Sequence, residues 1–179
     1  FTLRGEDVTA LAPARAIETT FHYDAFGNLI RKIEAANFAS DAATTDFEFD
    51  TLGRPTVTLL PGHYDPVTGT VEPDPGANRF RREASILYDT AGNIVRTGNR
   101  RTADAFDYTY RTHDARGQVV HEVNALNHVT RYTRNVFGEE ETVTRHSVTI
   151  ADTPANGLYW TASEIAARLN YGVDELGNV

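Results

Sequence analysis

A six-residue pattern, aromatic-Asp-x-x-Gly-polar, recurs along the chain and constrains its fold more than any other feature. The four clearest copies occupy residues 23–28, 49–54, 88–93 and 113–118. Looser copies occupy 134–139 and 173–178, and a degenerate one lies at 124–127. The glycines of the six clearer copies are separated by 26, 39, 25, 21 and 39 residues. Self-similarity at a bounded spacing indicates a repeat architecture in which each copy is one supersecondary unit.

The repeated aspartate and glycine predict a tight turn. In a type I turn, Asp in the first position can accept a hydrogen bond from the backbone N–H two residues on, and Gly takes a left-handed conformation that a side chain would resist. Two strands leave such a turn antiparallel. The expected turn residues, with the preceding aromatic where one is present, are Tyr23, Asp24, Gly27, Phe49, Asp50, Gly53, Tyr88, Asp89, Gly92, Asp114, Gly117, Asn135, Gly138, Asp174 and Gly177.

The segments that flank these turns are predicted to be β-strands. They alternate in polarity and are rich in Thr, Val and Tyr, as at 46–49, 56–59, 107–110 and 129–132. We therefore expect each repeat to form a β-hairpin, with the aromatic before the Asp packing on its equivalents in neighbouring hairpins. The alternative is an ordinary antiparallel sandwich with recurring turns, although turns in sandwiches rarely repeat the residues on both sides of them.

Two insertions interrupt the repeats and account for the two 39-residue gaps. Residues 61–78 contain four of the seven prolines and are expected to form a loop. Residues 161–170 are expected to form a short helix. With these insertions, residues 1–179 are interpreted as a single all-β segment of a longer repeat sheet.

The predicted helix has a clear start signal. Thr161 followed three residues later by Glu164 makes a capping box, and Ile165 and Leu169 give a short apolar face. Trp160, just before the cap, is expected to attach the helix to the sheet. The helix would then cover a sheet face or edge, and a partner-binding helix is the alternative.

Composition excludes several classes of function. The chain has no Cys, which excludes a disulfide framework, a thiol nucleophile and a thiolate metal site. Its net charge of −8 argues against a nucleic-acid partner. No apolar run approaches the roughly 18 residues of a membrane span. The chain also lacks Met, which indicates a piece of a longer protein whose targeting signal, if any, lies elsewhere.

No residue pattern marks a catalytic or metal site. The six histidines lack the helical i, i+4 spacing of a zinc enzyme and are expected to be solvated or next to turns, although cross-strand pairing could bring two together. The acidic run 139–141 is expected to face solvent. Because phosphate loops and nucleophile elbows are absent from the sequence, we expect no cofactor and no enzymatic activity. A carbohydrate-active enzyme is kept as a minor hypothesis, which would require two carboxylates facing one another in a groove.

The repeats resemble the YD repeat of the RHS family. The resemblance lies in Tyr-Asp-x-x-Gly-Asn followed by alternating apolar residues, at 23–33 and 88–95, and it covers residues 22–150 before resuming at 171. That family includes bacterial Rhs toxins, the B and C components of insecticidal Tc toxin complexes and, more distantly, the teneurins. The resemblance implies a curved, spiralling sheet of successive hairpins that winds into a hollow shell around a toxic C-terminal polypeptide.

The role implied by this resemblance is structural and non-enzymatic. The chain would form part of a wall that encapsulates a toxin, in a virulence protein secreted by a bacterium. Its partners would be the remainder of the shell protein, the enclosed toxin and a Tc-complex or secretion-system component. The alternative is an adhesion module whose hairpins and insertions bind a glycan or receptor, as the teneurin resemblance would suggest.

Residues 64–76 are similar to signatures of the RHS-associated core, which in several members lies at a self-cleavage site. Here, clear repeats continue after these residues, and the spacing does not fit. A Pro/Gly loop is therefore favoured over a processing site, and no catalytic residue is transferred from the family to this chain.

Overall fold

The computed structural model describes residues 16–37, 42–64, 67–69, 71–72, 80–150 and 153–172. The predicted turn with Asp174 and Gly177, and most of the proline-rich part of 61–78, lie outside these residues. No helix in the described ranges is long and apolar enough to cross a membrane.

Strands dominate the described residues, and a single helix follows them. In chain order the elements are β1 (Thr19–Tyr23), β2 (Leu29–Glu34), β3 (Ala43–Phe49), β4 (Pro55–Leu59), β5 (His63–Tyr64), β6 (Val71–Glu72), β7 (Glu83–Tyr88), β8 (Ile94–Arg100), β9 (Phe106–His113), β10 (Val119–Val123), β11 (His128–Arg134), β12 (Glu140–Thr149) and α1 (Ala162–Gly172).

Ten of these strands form one antiparallel sheet in the order β1-β2-β3-β4-β7-β8-β9-β10-β11-β12. Neighbours in the sheet are also neighbours in sequence, except that the two-stranded ladder of β5 and β6 is inserted between β4 and β7. The prediction of an all-β fold built from consecutive antiparallel hairpins is confirmed at this level. The sheet is open, because β1 and β12 lie at its two ends and do not pair with each other.

Cross-strand pairing assigns the side chains to two faces of the sheet, since directly opposed residues point the same way. One face, which we call the helix face, is marked by residues that pair in succession across β8 to β11: Arg96, Tyr110, Val123 and Val129. The neighbouring pair Thr97 and Thr109 belongs to the opposite face. Most strand residues are only partly buried, which is typical of a single layer with water on both sides.

The hydrophobic core lies where the C-terminal segment covers the helix face of the last strands. It consists of Val123, Val129, Ile150, Trp160, Ile165 and Leu169, with Tyr110 packed against it. Ile165 is completely buried and Leu169 is 2% exposed. Burial of side chains of this size contributes about 2 kcal/mol each to stability. This small core holds the helix on the sheet.

The predicted helix and its cap are confirmed. The Thr161 N–H donates to Glu164 Oε2 at 2.8 Å, and the Glu164 N–H donates to Thr161 Oγ1 at 3.3 Å. These reciprocal bonds form the capping box expected from the sequence. Trp160 is 2% exposed and packs in the core, so the helix covers a sheet face as expected.

Candidate functional site

Five of the predicted turns form a row at one end of the strands, along one side of the sheet. They join β1 to β2, β3 to β4, β7 to β8, β9 to β10 and β11 to β12, at residues 24–28, 50–54, 89–93, 114–118 and 135–139. The connections between successive hairpins lie at the other end of the strands. The turn of every repeat therefore lies on the same side of the sheet. We call this row of five the turn edge.

One hydrogen-bond pattern recurs in these turns, and the first turn shows it. The Gly27 N–H donates to the Asp24 carbonyl at 3.1 Å, and the Asp24 N–H donates to the Asn28 carbonyl at 3.0 Å. Asp24 Oδ1 accepts the N–H groups of Phe26 and Asn28, both at 2.9 Å. Gly27 has φ +87°, in the left-handed region. The predicted Asp and Gly roles are therefore confirmed, and the geometry is a type I turn followed by a left-handed bulge residue.

The structure also forms a turn at the degenerate copy. Asn124 Oδ1 accepts the N–H groups of Leu126 and His128, and Asn127 takes the place of the glycine with φ 62°. Asn tolerates this conformation better than other residues with side chains. This turn joins β10 to β11 at the other end of the strands, where the Asn127 carbonyl accepts the Ile150 N–H at 3.0 Å.

Adjacent turns on the turn edge contact one another through the polar residue that follows each glycine. A Cβ built on the next glycine along the edge would lie 3.0 to 3.6 Å from that polar side chain. We call these contacts the turn ladder, and its four rungs are Asn28–Gly53, Arg54–Gly92, Asn93–Gly117 and Gln118–Gly138. The glycine therefore has two functions, since it adopts the left-handed φ and leaves room for its neighbour's side chain.

The site residues predicted from the sequence do not include these polar side chains, although each is the last position of a repeat. Asn93 shows the double contact: its Nδ2 donates to Asp89 Oδ2 at 2.9 Å, and its Oδ1 lies 3.0 Å from the Cβ position of Gly117. The repeat period places the two turns next to each other. The register of the sheet is needed to show that the Asn93 side chain reaches Gly117.

The turn aspartates are held in the ionised form. The pKa is lowered from its ordinary value at Asp24, Asp50, Asp89 and Asp114. The main cause at Asp24 is the side-chain amide of Asn28, and at Asp50 and Asp114 it is a backbone N–H of the turn. At Asp89 burial acts to raise the pKa, and the hydrogen bonds it accepts outweigh that effect. These carboxylates are used as acceptors within their own turns.

A charged cluster ties the first strands together. Asp46 accepts hydrogen bonds from Arg31 Nε at 2.5 Å and from Arg81 Nη1. Although burial acts to raise the pKa of the Asp46 carboxyl, these two arginines hold it below its ordinary value. Arg81 also donates to the Thr44 and Leu59 carbonyls, and so links β3, β4 and the chain that enters β7. The described residues contain no group of three side chains suited to a metal ion.

Tyr88, the aromatic residue before the third turn of the row, packs on an arginine and not, as had been expected, on the equivalent aromatic of a neighbouring hairpin. The Tyr88 ring lies under the Arg54 guanidinium at 4.3 Å, and its hydroxyl donates to the Pro55 carbonyl at 3.1 Å. Tyr88 therefore contacts the polar residue of the preceding turn instead of an equivalent aromatic. The arginine side chain spans the distance between turns more easily than a second ring does, and a cation over a ring is favourable.

Apolar side chains are exposed along the turn edge. Phe26 is 93% and Phe137 is 84% exposed, and both stand two residues after the first turn residue. Leu52 occupies the same position in the second turn and is also exposed. An open groove lies between the first two turns, where Phe26, Ile30, Phe47 and Leu52 line it. The turn edge thus combines a fixed backbone with accessible apolar groups.

Comparisons with known proteins assign no family to the chain. No protein-family model matches it, and no curated protein matches it. The resemblance to the YD repeat is carried by the repeat residues alone.

Proposed function

We propose that this chain is a wall segment of an RHS/YD-repeat shell that encloses a toxic polypeptide. The observation that carries the proposal is the turn ladder, in which five hairpin turns stand in one row and each contacts the next. A sheet built in this way grows by adding hairpins along one direction. It needs no second sheet to complete it, which is the property that a wall requires.

The burial pattern supports a wall. Most strand residues of β1 to β8 are partly exposed, and the one buried cluster of six side chains in the described residues lies at the last strands and α1. Charged groups such as Arg31, Asp46 and Arg81 pair within the sheet surface. The sheet surface around this charged cluster would offer an unfolded cargo no large apolar patch to adhere to.

The end strands support continuation of the sheet. All five residues of β1 are exposed, and most residues of β12 are exposed. In the part of the chain that the structure describes, each of these strands has a partner on one side only, and further hairpins of the shell protein would pair with the other side. The remainder of that protein is therefore the first proposed partner, and the enclosed toxin is the second. A Tc-complex or secretion-system component would be a third.

The proposed role is non-enzymatic and extracellular. The general acid of a glycoside hydrolase needs a raised pKa, whereas each described carboxyl with a resolved shift has a lowered one. The mechanism we propose is exclusion, in which the wall separates the toxin from the producing bacterium until the secreted protein delivers it.

Electron microscopy of the full-length parent protein tests this proposal. We expect a hollow particle whose wall contains the ten-stranded sheet, with density for cargo inside it. A solid sandwich without a lumen would refute the proposal.

Limited proteolysis adds a functional readout. We expect the toxin polypeptide to be protected in the parent protein and to be cleaved after Gly117→Val, which places a branched side chain in a rung of the turn ladder. Gly157→Val is the matched control, because Gly157 also has a positive φ, of 69°, but has nothing within 4 Å of its Cβ position. Equal protection of toxin in the two variants would contradict a role of the ladder in the wall.

An adhesion module is the second candidate, and the exposed apolar residues of the turn edge favour it. Trp160 cannot serve as a binding platform, because it is 2% exposed and packs in the core. A glycan array probed with the chain and with Phe26→Ser/Phe137→Ser would test this candidate. Binding that the double substitution abolishes would support adhesion, and no binding by the unaltered chain would remove it.

A further inference from the structure

Two buried histidines lie on the helix face next to the small core. His121 is 5% exposed and His146 is 8% exposed. His121 stands two residues before Val123 on β10 and therefore on the same face, and α1 contacts that strand. Within the described residues the second layer over this face is the segment 153–172, whose Trp160, Ile165 and Leu169 pack with Val123 and Val129. The two imidazoles lie beside this covered patch.

The polar surroundings of these histidines do not suit a charged imidazole. Thr112 Oγ1 on β9 lies 2.9 Å from His121 Nδ1, in a neutral hydrogen bond. His146 Nε2 is buried and has no hydrogen-bond partner. Arg131 on β11 is a cation that pairs with His121 across the sheet.

The other charged groups near His121 and His146 do not offset a positive charge on either imidazole. Arg131 and His146 both act on His121 and disfavour its protonation, and Arg131 acts on His146 in the same sense. On α1, the Glu164 carboxylate is held by Thr161 at the cap. The Arg168 guanidinium lies 4.5 Å from the Trp160 ring. Protonation of both histidines would thus place up to three cations close together on the helix face.

We propose that the segment 153–172 is an acid-released cover, which leaves the helix face of β10 and β11 when His121 and His146 become protonated. Release would expose Val123, Val129 and Ile150, an apolar surface that is closed at neutral pH. The inference rests on the sheet and helix geometry and does not depend on the proposed shell role.

The direction of the pH dependence follows from linkage. Burial, Arg131 and His146 lower the pKa of His121 from 6.5 to about 4 in the docked state. Docking is therefore fully favoured above pH 6.5 and weakens as the pH falls from 6.5 towards 4. At pH 5, titration of His121 alone, with a pKa of 6.5 when undocked, lowers the docking equilibrium constant about 20-fold relative to pH 7. Burial also lowers the pKa of His146, which acts in the same direction.

Trp160 provides a direct probe, because it is the only tryptophan in the chain and is 2% exposed. We would titrate the tryptophan emission of the chain from pH 7.5 to pH 4 while following the sheet by far-ultraviolet circular dichroism. The expected result is a red shift of the emission between pH 6.5 and pH 4, while the sheet signal is retained. Burial of Trp160 throughout the titration, or simultaneous loss of sheet and helix, would overturn the proposal.

Variants identify the groups responsible. His121→Asn, whose amide can replace Nδ1 towards Thr112, and His146→Gln should together move the red shift to lower pH, and His22→Gln is the control because His22 is exposed. If His121→Asn does not fold, the imidazole NMR titration of the unaltered chain decides the question. An ordinary imidazole pKa while Trp160 stays buried would overturn it.

Discussion

The turn ladder predicts that two glycines with the same backbone conformation differ in their tolerance of a methyl group. Gly53 has φ +75° and Gly117 has φ +76°, so alanine meets the same left-handed penalty at both, about 1–2 kcal/mol. The new Cβ would lie 3.5 Å from Asn28 Oδ1 at position 53, which is an ordinary contact. At position 117 it would lie 3.0 Å from Asn93 Oδ1, which is too close.

The additional cost at position 117 follows from the bonds of Asn93. To make room, this side chain must shift, and its hydrogen bond to Asp89 Oδ2 at 2.9 Å is then weakened or lost. A hydrogen bond of this kind contributes about 1 kcal/mol. We therefore expect the free energy of unfolding to fall by about 1 kcal/mol more in Gly117→Ala than in Gly53→Ala.

Urea unfolding followed by circular dichroism measures this difference, and hydrogen exchange of the turn amides localises it. A double-mutant cycle with Asn93→Ala isolates the rung, because the excess cost of Gly117→Ala should disappear when the Asn93 side chain is absent. Equal costs at the two glycines, or an excess that persists beside Asn93→Ala, would refute the reasoning.

Three further predictions concern the strands, the turns and the helix cap. Gly98→Ala should lower the free energy of unfolding by about 1–3 kcal/mol, because its Cβ would lie 2.6 Å from Tyr108 Cε1; an unchanged urea midpoint would contradict this. Asp89→Ala should cost about 2 kcal/mol in the same assay by removing the acceptor of the turn, whereas Asp89→Asn should cost much less, since two other turns use Asn there; equal losses would contradict it. Thr161→Val should destabilise α1 by about 1 kcal/mol, seen as faster hydrogen exchange of its amides with no change in β7 and β8; unchanged α1 exchange would contradict it.

Local chemistry explains which parts of the fold could be predicted from the sequence. The turn at Asp24 and Gly27 depends on bonds within five residues, so the repeat pattern contains nearly all the information needed to place it. The same holds for the capping box of Thr161 and Glu164. The single continuous sheet then follows, because each turn returns the chain antiparallel beside the previous strand.

Long-range register explains what the sequence did not show. The contact between Tyr88 and Arg54 joins residues from different hairpins, and it depends on the alignment of two turns across β4 and β7. The burial of Val123 and Val129 depends on which face α1 covers, and an apolar pair such as Ile165 and Leu169 fits either face. Hydrophobic periodicity identifies the face that a helix buries, but it does not identify the strands beneath it.

The distance between the first and last turns of the turn edge tests the central claim, that the hairpins form one continuous open sheet. Since the chain has no native Cys, nitroxide labels can be placed by Phe26→Cys and Phe137→Cys, both at highly exposed positions. Eight strand spacings separate these turns, or about 38 Å along the sheet, and curvature would shorten this to no less than about 30 Å. Pulsed electron spin resonance should give a distance in this range. A distance under about 20 Å, as expected for two sheet halves packed about 10 Å apart, would contradict the account.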